Sequence, residues 1–162
     1  MHMRKICVSR RAKDLFIKKL LCMKTKKLKK LFSGGQQPSH ADQIAMLERS
    51  DSEKAMKAYV KHYGLCKEAQ LKMLEMPNAL QLLDIYSQRF WLSKDAEIKM
   101  LEHRKSADLL KAYVPKRRLS YEAQVRMLDV PNSLKLREIY GARRNFCEQF
   151  YVALYERQHK ES

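Results

Sequence analysis

The groups in this chain that could carry chemistry are five histidines, four cysteines and eighteen carboxylates, and their spacing limits what they can do. His2, His40, His62, His103 and His159 are scattered, and none belongs to an H-E-x-x-H pair. No phosphate-binding loop, G-x-G-x-x-G turn or nucleophile motif is present. Cys7, Cys22, Cys66 and Cys147 form no C-x-x-C pair and share no spacing with histidine, so neither a disulfide framework nor a zinc site is implied. Thiols used this way fit a reducing, cytoplasmic compartment. One acid recurs at Glu48, Glu75, Glu102 and Asp129. Placed one per helical unit, these carboxylates lie ~10 Å apart, too far for a shared acid/base pair, and form a solvated rim. The inventory points away from an enzyme and implies no cofactor and no metal.

Charge is the stronger signal. Of the net +16, residues 1–34 carry twelve Lys/Arg against Asp14, or 12 − 1 = +11, and the remainder carries 22 − 17 = +5. Arg10, Arg11, Lys18, Lys19, Lys26, Lys27, Lys29 and Lys30 are the candidate anion-binding groups of this arm. A second set keeps a period. His62, Arg89, Lys116 and Arg143 recur at a constant 27-residue step (89 − 62, 116 − 89, 143 − 116), with Arg117, Arg118 and Arg144 beside them. Stacked units would align these cations into a ridge that positions contacts to phosphates or carboxylates. The competing account is that basic residues near helix C-termini complement the helix dipole. If the ridge faces solvent, reversing Arg117 and Arg144 leaves stability unchanged.

The elements that must position these groups are set by two ladders. Met-Leu recurs at Met46-Leu47, Met73-Leu74, Met100-Leu101 and Met127-Leu128, a 27-residue step (73 − 46). Tyrosine keeps the same step at Tyr59, Tyr86, Tyr113 and Tyr140. Self-similarity at fixed period marks a repeat architecture. The tyrosines could offer a base-stacking platform, but a ring at a core position more naturally packs between units with its hydroxyl at the edge.

Within a unit, Ser39, Ser93 and Ser120 are suited to cap a first helix, where Cys66 replaces serine. Glu68, Asp95 and Glu122 favour its first turn. A turn follows at Ser50-Asp51, Pro77-Asn78, Arg104-Lys105 and Pro131-Asn132, where Asn or Asp caps a second helix. That helix buries Leu82, Ile85 and Tyr86, and their counterparts Leu109, Ala112 and Tyr113, and Leu136, Ile139 and Tyr140. Alternate units share Lys-Ala-Tyr-Val or Pro-Asn-x-Leu-x-Leu, giving a larger 54-residue period of two units (2 × 27). An apolar content of 45% with only 4 Gly and 4 Pro fits an all-α chain.

Domain organisation follows from the register. Residues 1–37 are a basic arm that includes a degenerate capping repeat, with Ile17, Leu20 and Phe32 in the columns of Ile44, Leu47 and Tyr59. Residues 38–145 hold four repeats, and 146–162 form a half-repeat cap with Leu154-Tyr155 at the Met-Leu position.

Over residues 39–158 the helix–turn–helix rhythm and the two ladders resemble an α-solenoid of HEAT-like or bacterial leucine-rich-repeat-variant type. That resemblance implies a scaffold that binds macromolecules and carries over no catalytic residue. The expectation is therefore a non-catalytic protein-interaction module, with RNA or DNA as the alternative partner through arm and ridge. A membrane surface is the least favoured partner, and no apolar run nears the ~20 residues that a span requires.

Overall fold

A computed structural model describes residues 37–160, and no strand occurs among them. The basic arm and its degenerate repeat, including all eight candidate arm cations, lie outside the described residues. The helices are α1 (His40–Leu47), α2 (Ser52–Tyr59), α3 (Lys67–Glu75), α4 (Ala79–Ser87), α5 (Lys94–Glu102), α6 (Ser106–Tyr113), α7 (Tyr121–Arg126), α8 (Ser133–Gly141) and α9 (Glu148–Lys160). A 3₁₀ turn over Met127–Asp129 continues α7. Odd helices start at 40, 67, 94, 121 and 148, and even helices at 52, 79, 106 and 133, always at a 27-residue step (67 − 40, 79 − 52).

The first helix of each pair starts where the serines predict. The hydroxyls of Ser39, Ser93 and Ser120 accept from the backbone N–H of Asp42, Ala96 and Ala123, and Asp42 closes a capping box on Ser39. The second helices depart from expectation. Asp51, Asn78 and Asn132 stand at the N-cap but their side chains make no capping bond. The Asn78 amide instead donates to Ser52 Oγ (3.2 Å) and Glu53 Oε1 (3.4 Å) one unit back, so its side chain joins units rather than closing its own helix.

None of these helices is long enough to be stable alone, and each buries a stripe against neighbours. Pairs pack internally as α1 on α2, α3 on α4 and α5 on α6. Packing also runs along two rows, α1 to α3 to α5 to α7 to α9, and α2 to α4 to α6 to α8. The seam between rows is the pair of ladders: Met46, Met73, Met100, Met127 and all four tyrosines are buried, with Leu47, Leu74 and Leu101. Leu128 is only partly buried. In α9 the pattern inverts, because Leu154 is half-buried and Tyr155 is 61% exposed, with Tyr151 and Val152 exposed beside it. The C-terminal unit is therefore less polar at its surface than expected of a cap. No helix among the described residues is long and apolar enough to cross a membrane.

Candidate partner-binding edge

The side chains that join one unit to the next determine which surface groups remain available. Gln43, Gln70, Glu97 and Gln124 are buried at a 27-residue step (70 − 43), one in each odd helix from α1 to α7. Each accepts from a backbone N–H 23 residues ahead, at Cys66 (2.7 Å), Ser93 (2.6 Å), Ser120 (2.8 Å) and Cys147 (2.8 Å). The three glutamine amides also donate back to the carbonyls of Pro38, Leu65 and Leu119 at 2.9–3.0 Å. A buried amide thus satisfies two backbone groups that would otherwise be stranded at the joint. The polar column was legible as a break in the apolar stripe, but its pairing with the start of the next unit was not.

The tyrosine hydroxyls enter this seam rather than lying at an edge. Tyr59 donates to the Gly64 carbonyl (3.1 Å), Tyr86 accepts from Gln70 Nε2 (3.2 Å), and Tyr113 donates to Glu97 Oε1 (3.0 Å) while accepting from Leu92 N–H (3.2 Å). Burial pushes the Tyr59 and Tyr86 hydroxyls up to about 12. These rings cannot serve as a stacking platform.

The rim acids are also spoken for. Glu48, Glu75, Glu102 and Asp129 pair with Lys72 (3.3 Å), Lys99 (3.5 Å), Arg126 (2.8 Å) and Arg157 (2.7 Å) of the following units. A second series joins the helix starts: His40 to Glu68 (3.7 Å), Lys67 to Asp95, and Lys94 to Glu122 (3.2 Å).

The predicted basic ridge divides into two groups. Lys116, Arg117 and Arg144 are half-buried and bonded across units. Lys116 pairs with the Asp84 carboxylate and donates to the Asp84 carbonyl (3.2 Å). Arg117 Nε donates to the Ser87 carbonyl (2.9 Å), and its guanidinium lies 5.2 Å from the Trp91 ring centre. Arg144 donates to the carbonyls of Val114 (3.1 Å) and Pro115 (3.3 Å). Arg117 and Arg144, which share one place in successive units, thus hold the open C-terminal carbonyls of α4 and α6, a use the helix dipole favours. This geometry leads to the opposite expectation, that reversing both lowers stability. His62, Arg89, Arg118 and Arg143 are exposed on the loops that follow α2, α4, α6 and α8.

A groove of about 620 Å³ spans α2, α4 and α6. Leu80, Ile85 and Ala112 supply its apolar part, and its charged groups are Lys57, Lys111, Glu53, Asp84 and Asp108. Lys57, Asp84 and Lys111 share one helix position at successive 27-residue steps (84 − 57, 111 − 84), and Lys116 already neutralises Asp84. The groove therefore presents two exposed lysines, Lys57 and Lys111, together with two further acids, Glu53 and Asp108, around its apolar residues. No family model, curated protein or solved structure matches this chain.

Proposed function

We propose that the chain is an α-solenoid of four 27-residue helix–turn–helix repeats acting as a non-catalytic docking module for an amphipathic segment of another protein. The groove across α2, α4 and α6 carries this reading. Leu80, Ile85 and Ala112 offer apolar area, and Lys57 and Lys111, two repeats apart, stand with Glu53 and Asp108 as sites of both charges. An amphipathic helix or strand of mixed charge would bury its apolar side chains on the strip, set carboxylates on Lys57 and Lys111, and set basic groups on Glu53 and Asp108. A nucleic-acid backbone has no use for the apolar strip. The repeat register supports the solenoid, since both rows of helices advance in 27-residue steps and each helix packs on the one two places on.

The test is affinity capture from nuclease-treated extract, with melting temperature as a control. A protein retained by the wild type should be lost from Leu80→Glu and from Lys57→Glu/Lys111→Glu, with all three chains melting alike. Undiminished retention by both variants overturns the reading.

A nucleic-acid reading rests on a separate observation, the exposed Arg89, Arg118 and Arg143 with His62 along one edge. Binding through about four such cations requires log K to fall with log salt at a slope of roughly −4 or steeper. Titrating labelled single-stranded and duplex oligonucleotides at several salt concentrations decides it. A flat response removes nucleic acid.

A further inference from the structure

The ion-pair series at the helix starts has a regular composition, and its first member departs from it. In the second rung Lys67 pairs with Asp95 beside the capping Ser93, and in the third Lys94 pairs with Glu122 beside the capping Ser120. Each rung is thus a base, a cap hydroxyl and an acid. In the first rung the same three places hold His40, Cys66 and Glu68. Lysine has become imidazole and serine has become thiol in the same rung. Both changes replace a group that cannot ligate a borderline metal, or does so poorly, with one that can.

The geometry matches the composition. One imidazole nitrogen, the Cys66 sulfur and a Glu68 oxygen all lie within 4.8 Å of one another, with His40 Nδ1 and Glu68 Oε2 at 3.7 Å. Tetrahedral zinc with bond lengths of about 2.0–2.3 Å requires ligand atoms roughly 3.3–3.8 Å apart, a closure of about 1.5 Å at most. His40 and Glu68 are exposed and free to make that adjustment, while Cys66 is held by its backbone N–H on Gln43 Oε1 (2.7 Å). Cys66 is a free thiol.

We propose that His40, Cys66 and Glu68 form a three-ligand site for a borderline divalent cation, Zn²⁺ by class, that clamps the first unit to the second. The cation displaces the thiol proton to solvent. Thiolate and carboxylate then balance its two positive charges, with His40 neutral. The half-exposed setting leaves a fourth position for water. Thiolate and imidazole select against Mg²⁺ and Ca²⁺, which take oxygen ligands. The site escapes spacing rules because its ligands sit at 40, 66 and 68, on two units brought together only by stacking.

Co²⁺ titration of the full reduced chain tests this, since a cobalt–thiolate bond gives a charge-transfer absorption. Variants H40K and C66S install the residue types the other rungs use, so they are expected to fold. The absorption should appear in the wild type, disappear in C66S, and weaken in H40K beyond the about 10–100-fold affinity loss typical of losing a group that only hydrogen-bonds a ligand. It should persist in C7S/C22S, which removes the two thiols of the arm. Added Zn²⁺ should bleach the band and raise the melting temperature of the wild type but not of C66S. No absorption in the wild type, or a band that survives in C66S, overturns the site.

Discussion

Glu97 is the one carboxyl in a column otherwise built from glutamine, and it is only 2% exposed. Burial raises its pKa, partly offset by hydrogen bonds from Ser120 and Tyr113, while Glu122 adds a second negative charge nearby. The folded chain therefore holds this proton more tightly than the unfolded chain does. Stability falls as pH rises from the ordinary glutamate value through the raised one, and the cost is complete above it. Glu97→Gln removes the charge and allows the Gln70–Tyr86 arrangement to form in this unit. The variant should be more stable by roughly 1 kcal/mol at pH 8, with the difference shrinking toward pH 4. Urea unfolding of both chains at the two pH values measures it. Neighbouring arginines give a second contrast. Arg144→Ala opens the carbonyls of Val114 and Pro115 and should cost about 1 kcal/mol. Arg143→Ala, exposed one residue away, should stay within about 0.5 kcal/mol. The ridge was legible as a period of cations, but which of them face solvent depended on carbonyls 29–30 residues earlier in the chain.

At the scale of the helix, one ladder position has two energetic meanings. Leu101 in α5 is 2% exposed and packs in the inner seam. Leu101→Ala should cost ~2–5 kcal/mol. Tyr155 holds the same column in α9, two units on, and is open to solvent. Tyr155→Ser should change stability by less than about 0.5 kcal/mol. Thermal or urea unfolding of both variants checks the pair, and equal costs would contradict the different burial of α5 and α9. Sequence period places both residues in one column because periodicity is local. It cannot show that α9 is packed on one side only, since that depends on whether another helix of the row covers its far face.

At the scale of the molecule, the helices of the described residues pack chiefly on near neighbours, so stability should divide among joints rather than spread evenly. Gln70 bridges three elements through Ser93 N–H, the Leu65 carbonyl and the Tyr86 hydroxyl. Gln70→Ala leaves buried backbone groups unpaired and should cost about 2 kcal/mol. Hydrogen exchange should then show the Ser93 amide losing protection first. In the wild type, amides of α9 should open at lower free energy than those of α4 and α5. Uniform protection from α4 to α9 would contradict a nearest-neighbour stack.

Helix starts, the turn positions, the 27-residue register and most of the buried seam were readable from the sequence alone. Caps, apolar spacing and Pro or Asn punctuation act within a few residues, so the chain states them directly. The tertiary structure decided everything that depends on one unit lying against the next. It drew Lys116, Arg117 and Arg144 into bonds, turned the rim acids into ion pairs, and buried Glu97 against Tyr113 and Ser120. It also brought His40 to Cys66 and Glu68. Those partners stand 16 to 32 residues apart in sequence. The lateral offset between packed helices sets which of them meet, and no local pattern encodes that offset.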